Sequence, residues 1–248
     1  MSQSLISIIL PVYNQADHIG AIVEEYAAML ARIPNPYEII LAVNGSRDES
    51  LAVCTALAEK YSDPARRVRV AHSERGGWGL GVRLGLSAAE GDLLCYTNSA
   101  RTAPKDLTLL LLYAVANPET VIKANRKIRD NWQRRIGSLL YNIEVRSLFD
   151  LAYWDINGTP KVFPRQFDAL LRLQSDDDLI DAEFNAVCRR EGYPMLEVPI
   201  FATKRHGGRS TTNYNSAFRM YMGAYRLWQR MRAEGWTPKN GDGSGDGA

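Results

Sequence analysis

Short apolar segments that end in turn signals alternate with amphipathic stretches of helical period through the first half of the chain. Residues 5–10 (LISIIL) stop at Pro11, 37–43 (YEIILAV) at Asn44-Gly45, and 67–71 (RVRVA) and 92–97 (DLLCYT) at polar loops. Except for 67–71, which alternates, these runs do not alternate polar with apolar, so they predict strands buried on both faces. The stretches between them, 17–32, 46–61, 79–89 and 104–116, place apolar residues at helical spacing, as Ile19, Ile22, Val23, Tyr26, Met29 and Leu30 do in the first. A further strand is predicted at 120–124. Strands linked by helices of this length require a mostly parallel sheet with helices on both faces, an α/β architecture.

The second half is less regular. It predicts a long helix at 132–149, a loop at 150–161, helices at 165–173 and 179–191, a strand at 195–200 and a terminal helix at about 216–234. A basic glycine turn, Lys204 to Arg209, precedes that helix, and the small polar sequence GDGSGDGA closes the chain. No repeat or internal linker interrupts the body. The expectation is one domain over 1–235 and a disordered polar tail over 236–248.

Composition narrows the function classes. With 248 residues, 46% of them hydrophobic, the chain can bury a full core. A net charge of +2 lacks the basic excess of a dedicated nucleic-acid binder. Cys54, Cys95 and Cys188 are widely spaced and form no CxxC pair, which speaks against a disulfide framework or zinc site and for a reducing compartment. Residues 1–12 lack a basic leader segment, and no apolar run approaches the roughly 20 residues that span a bilayer. The expected location is cytoplasmic.

In open parallel sheets, ligands sit beyond the carboxyl ends of the strands. There the chain offers Pro11-Val12-Tyr13-Asn14-Gln15, Asn44-Gly45-Ser46-Arg47-Asp48, His72 to Gly81, and Asn98-Ser99-Ala100-Arg101. Any one of these reads as ordinary turn chemistry; together on one sheet edge they predict a cleft. The Gly77–Gly81 run lets a backbone approach closely. It does not follow the dinucleotide GxGxxG pattern, and no GxSxG or metal-spaced histidines occur.

The order of these segments resembles the catalytic domain of glycosyltransferase family 2, of GT-A fold, and within it the polyprenyl-phosphate sugar transferase branch. SIILPVYNQADHI resembles that branch's opening strand and "PxYNE" turn, EIILAVNGSRDES its "VDDGSxD" segment, and GGWGLGVRLGLSAAEGD its "GKGxAxxxGxxxAxGD". DINGTPKVFPR, LIDAEFNAVCRREGYPMLEVPI and RHGGRST continue the likeness to about residue 230. It implies a nucleotide-sugar donor as co-substrate, held by Pro11, Tyr13, Gln15, Asn44 and Ser46 at the nucleoside and by Gly77, Gly79, Asn98 and Ser99 nearby. It implies a glycan or polyprenyl-phosphate acceptor, and no nucleic acid.

The chain departs from the family at its acidic positions. The "DxD" that holds a divalent cation is Asn98-Ser99-Ala100, the aspartate pair before "GS" is Val43-Asn44, the glutamate after "YN" is Gln15, and the basic residue between the glycines is Trp78. Hard divalent ions need charged oxygen ligands, so a tightly bound Mg or Mn ion is not expected. Arg101, Arg205, His206 and Arg209 are expected to face the diphosphate instead, because guanidinium groups fork onto phosphate oxygens. Lys127 and Arg129 read as a solvated basic face. Acceptor-side carboxylates remain: Asp155 in DINGTPK, and Asp181 and Glu183 at the "DxE" position, as candidate catalytic groups. Helix capping is the plain alternative for Asp181.

The terminal helix places Phe218, Tyr221, Met222, Tyr225, Trp228 and Met231 on one broad face among arginines. That face serves docking on the body, a homodimer contact or peripheral contact with an anionic membrane, and docking is the expectation. Two readings follow: a metal-independent inverting glycosyltransferase, or a non-catalytic relative kept as a sugar-nucleotide-binding or partner-binding module.

Overall fold

The computed structural model describes residues 4–126, 132–201 and 214–237, with no account of the side chains at 132–136 and 214–219. A single seven-stranded sheet runs through it in the order β3-β2-β1-β4-β6-β5-β7. The first half is a doubly wound unit: β1 (Ile6–Val12), α1 (Ile19–Leu30), β2 (Tyr37–Asn44), α2 (Ser50–Lys60), β3 (Arg66–Ser73), α3 (Trp78–Ala88) and β4 (Leu93–Tyr96). β1 pairs in parallel with β2 and β4, and β2 with β3. Every residue of β1 and β2 is buried, as their unbroken apolar runs require.

α4 (Pro104–Ala116) leads into β5 (Val121–Arg126), and α5 (Trp132–Phe149) leads into β6 (Lys161–Pro164). β6 is antiparallel to both β4 and β5, whereas β7 (Met195–Ile200) is parallel to β5. All strands except β6 therefore point the same way, and β6 brings its first residue, Lys161, to the rim where the others end. α6 (Ile180–Glu191) and α7 (Tyr214–Ala233) complete the domain. One apolar cluster fills the side covered by α1, α2 and α4, and a second fills the side covered by α3, α5, α6 and α7.

Three expectations need correction. The loop at 150–161 ends in an unforeseen strand, β6, which is too short to show a period. The helix expected at 165–173 is a single 3-10 turn, Asp168–Leu171; Phe167 instead stacks flat on Tyr193, ring centroids 4.0 Å apart. Trp236, assigned to the tail, is buried, with its ring edge-on to Phe149, so the folded body extends past 235. The rest of the tail, 238–248, lies outside the described residues. The terminal helix docks on the body as expected: Ala224, Leu227 and Met231 are buried, and the Tyr221 hydroxyl donates to the Gly137 carbonyl at 2.8 Å.

Candidate active site

The strand order places β2 and β4 on opposite sides of β1, so a crevice opens between the carboxyl ends of β1 and β4. Two expected donor residues meet across it: the Ser99 hydroxyl donates to Gln15 Oε1 at 2.9 Å. The loop after β1 is knitted to the loop after β2. Asn14 N–H donates to Ser46 Oγ at 3.1 Å, Arg47 N–H to Asn14 Oδ1 at 2.8 Å, Gln15 N–H to Ser50 Oγ at 2.8 Å and Ala16 N–H to Asp48 Oδ2 at 3.1 Å. Asn14 takes a left-handed φ of 49° to make this turn. Burial alone would push the Asp48 carboxyl up, but hydrogen bonds from the Ser50 hydroxyl and from backbone N–H groups outweigh it and hold it below the usual carboxylate range.

The expected nucleoside residues fall into two groups. Tyr13 is 52% exposed at the rim. Pro11 and Asn44 are buried: Pro11 lies inside β1, and the Asn44 amide donates to the Gly77 carbonyl at 2.7 Å. Both belong to the buried wall at the strand ends. Asn98 opens the turn after β4, where its carbonyl accepts from the N–H groups of Arg101 and Thr102; Ser99 is buried and Arg101 exposed.

The glycine run has a different partner from the one expected. A Cβ on Gly77 would lie 2.3 Å from the Asp176 carbonyl oxygen, and one on Gly79 would lie 2.3 Å from that of Ser175. The backbone that these glycines admit is therefore the 175–177 segment of the chain itself. Gly77, at φ 146°, starts α3 in a conformation closed to side-chain-bearing residues, and Leu80 N–H then donates to the Asp176 carbonyl at 2.9 Å.

Beneath this rim lies a buried charged centre. Asp181, in the first turn of α6, does not cap its helix. Its carboxylate accepts from the Tyr96 hydroxyl at 3.0 Å and the Trp78 indole N–H at 3.2 Å, and it pairs with Lys161. Lys161 is wholly buried, and burial drives its ammonium down to about 8 against the opposing pull of Asp181. Burial, reinforced by Asp181, pushes the Tyr96 phenol well up. Glu183 is equally committed. It accepts from the N–H groups of Gln174 at 3.0 Å and Ser175 at 2.7 Å and pairs with Arg230 of α7 at 3.1 Å. It holds in place the segment that packs on Gly77 and Gly79.

Asp155, held at φ 47°, clasps the end of β5. Its carboxylate accepts from the Arg126 guanidinium at 2.7 Å on each oxygen and from the Arg126 N–H at 3.0 Å. Burial resists the charge on Arg126, but Asp155 prevails and raises its pKa. Lys123, three residues earlier on β5, is wholly buried. Its ammonium donates to the Trp154 carbonyl at 2.7 Å and to Asn185 Oδ1 at 3.3 Å, and it pairs with Glu197 at 2.9 Å. Asn185 in turn donates to the Asp181 carbonyl at 2.6 Å. Lys123 also reaches the Asp155 carbonyl at 3.5 Å, so polar contacts, in part through main-chain carbonyls, run from Arg126 and Asp155 to Asp181.

Arg205, His206 and Arg209, with Lys127 and Arg129, lie outside the described residues. Among the described residues, no group of three or more His, Cys, Asp or Glu side chains is arranged to hold a metal ion. The end of β4 supplies only neutral oxygens from Asn98 and Ser99, a poor donor set for a hard divalent cation. The buried pair Lys161 and Asp181 is the feature that sequence reasoning did not assemble. Lys161 opens a strand too short to be read from the sequence, but Lys123 within the apolar run VIKA signalled a buried cation nearby. A lysine in such a strand requires a buried counter-charge.

The sequence profile of the family "Glycosyl transferase family 2" matches residues 7–192. The chain is similar to undecaprenyl-phosphate 4-deoxy-4-formamido-L-arabinose transferase of Sodalis glossinidius, 25% identical over 207 residues, covering 83% of this chain and 62% of the relative. It is similar to the enzyme of the same name from Pseudomonas fluorescens, 24% identical over 204 residues, covering 82% of this chain and 59% of the relative. The chain therefore spans about three-fifths of the length of these relatives. Among solved structures, it is similar in fold to glucosyl-3-phosphoglycerate synthase of Mycobacterium tuberculosis in complex with Mn2+, uridine diphosphate and phosphoglyceric acid. The TM-score is 0.68 at 15% identity, covering 91% of this chain and 78% of that one. The fold is the GT-A fold of such glycosyltransferases, and by the match over most of its length the chain belongs to glycosyltransferase family 2.

Proposed function

We propose that the chain is an inverting glycosyltransferase. It takes a sugar from a nucleotide-diphosphate donor seated across the β1 and β4 strand ends and passes it to a polyprenyl-phosphate acceptor. The bridge from Ser99 to Gln15 carries this reading, because it closes the floor of the crevice where a GT-A sheet receives its donor. Tyr13 offers an exposed ring to the nucleoside. Asn98 and Arg101, with Arg205, His206 and Arg209 of the basic turn, meet the diphosphate. They stabilise the negative charge that grows on it as the bond to the anomeric carbon breaks. The acceptor oxygen attacks the opposite face of that carbon, and the electron pair leaves with the diphosphate.

The choice of acceptor follows from the carboxylates. Asp155, Asp181 and Glu183 are each engaged by cations or N–H donors, which suits none of them to take a proton. A phosphate acceptor is already ionised near neutrality and needs no base; a sugar hydroxyl would need one. The curated relatives act, by name, on undecaprenyl phosphate. Donor charge is met by guanidinium groups in place of a tightly bound divalent ion. A lipid acceptor brings the domain to a membrane surface, on its cytoplasmic side. That surface meets Met222 and Tyr225 of α7 and the exposed Leu139, Leu140 and Ile143 of α5; no described helix is long and apolar enough to cross a membrane.

Calorimetry with uridine and guanosine diphosphate sugars, followed by transfer to undecaprenyl phosphate in the presence of EDTA, tests this. Transfer that survives chelation supports it. Activity lost in EDTA and restored by manganese refutes the charge replacement. The neutral Asn98-Ser99 turn and the fully engaged carboxylates also favour a second reading, a sugar-nucleotide-binding module without catalysis. Donor binding with no turnover on any acceptor identifies that case.

A further inference from the structure

Among the described residues, the face of α4 turned away from the sheet has no partner. Asp106, Leu107, Leu110, Leu111 and Ala114 are buried against the body. On the other side Leu109, Leu112, Tyr113 and Val115 stand 39%, 47%, 41% and 41% exposed. Lys105, Leu109, Leu112 and Ala116 follow one another in the alternating steps of four and three that make a helix–helix seam, and all four are exposed. No charged residue occurs between Asp106 and Glu119. The two charges that bound the stripe, Lys105 at its start and Glu119 in the turn just past its end, form no ion pair or hydrogen bond among the described residues.

We propose that this face pairs with the same face of a second copy of the chain, antiparallel, about a two-fold axis through Leu112. Lys105 and Glu119 are equidistant in sequence from Leu112, as are Leu109 and Val115. An isologous antiparallel contact centred there sets each Lys105 opposite Glu119 of the partner subunit and lays each Leu109 beside Val115 of the partner subunit. The stripe is thus complementary to itself in charge and in shape. An anionic lipid surface is a poorer match, since it selects apolar faces flanked by cations, and this one ends in one charge of each sign. A helix of this length is about 20 Å long, which gives a contact at the small end of specific interfaces. The dimer is accordingly reversible and concentration-dependent.

Sedimentation velocity of the full chain over a concentration series tests the pairing. The wild type is expected to shift from monomer to dimer. Leu112→Glu puts two carboxylates together on the axis and is expected to give monomer at every concentration. Lys105→Glu sets like charges opposite one another twice and is expected to weaken the dimer about tenfold. The double reversal Lys105→Glu/Glu119→Lys is expected to restore it, a recovery that does not depend on how Leu112→Glu folds. Leu112→Cys is expected to cross-link two copies under mild oxidation, the native cysteines all being buried. A wild type that stays monomeric, a dimer that survives Leu112→Glu, or a double reversal no better than the single one overturns the proposal. So does binding to phosphatidylglycerol vesicles that Leu112→Glu abolishes in a chain that never dimerises.

Discussion

Lys161→Met is the sharpest test of the buried centre. Methionine is unbranched like lysine and one atom shorter, so the change removes the charge and leaves most of the packing in place. Asp181 keeps the Tyr96 hydroxyl and the Trp78 indole N–H but loses its counter-ion while 4% exposed. Breaking one partner out of a buried pair costs about 3–5 kcal/mol. For a domain of this size that corresponds to a fall in Tm of roughly 6–20 °C. Lys161→Met/Asp181→Asn should recover a large part of the loss, because a neutral amide oxygen still accepts from both donors. The pH dependence gives a second readout. The folded ammonium titrates near 8 and the unfolded one near 10.5. Between those values the unfolded chain holds more of the proton, so stability from this group rises with pH; the neutral amine still donates to Asp181, whereas methionine offers no donor, so this gain does not carry over to Lys161→Met. Urea unfolding at pH 7, 8.5 and 10 measures both effects. A Lys161→Met protein within about 1 kcal/mol of wild type, with an unchanged pH slope, would refute the assignment.

Three further outcomes are expected. Ser99→Ala should cost about 1 kcal/mol in urea unfolding and weaken nucleotide-diphosphate binding by calorimetry, since Gln15 Oε1 loses its donor in the crevice; unaltered binding would detach that bridge from the donor site. Gly79→Ala forces a methyl group onto the Ser175 carbonyl and should destabilise the fold by about 1–3 kcal/mol, with hydrogen exchange raised across 174–178. Glu38 is wholly buried; burial opposes its charge, yet Ser7, the Glu90 N–H, Arg69 and Arg67 hold its carboxyl below the ordinary value. The stability it supplies is therefore present above the unfolded carboxylate range and is lost as pH falls through the lower folded value; Glu38→Gln should flatten the acid limb of the unfolding curve.

The doubly wound half was legible because its signals are local. Unbroken apolar runs such as IILAV mark strands buried on both faces, and α4 spans the 104–116 stretch that its apolar spacing predicts. The short strand β6 was not legible, since four residues carry no period and only pairing with β4 and β5 defines it. The apolar spacing of 165–173 promised a helix, but Phe167 is drawn flat onto Tyr193, a contact between segments far apart in sequence. At the site, the rim loops were visible as turn chemistry, and Gln15 and Ser99 do meet. The partners of the carboxylates were not visible. Asp181 collects donors from α3, β4 and β6, and no spacing within one segment announces a centre assembled from three. The glycine run was read as room for a ligand; the room is taken up by the 175–177 backbone.

The reversal of β6 shapes how this architecture can be varied. Because β5 leaves the rim at Arg126 and β6 returns to it at Lys161, the whole excursion between them hangs from one edge of the sheet and is clamped at its neck by Asp155 on Arg126. Exchanging that excursion would alter what lies over the rim while the doubly wound half of the sheet kept its wiring. The neck itself would tolerate little, since Lys161 is both the hinge post of the return and the counter-charge of Asp181.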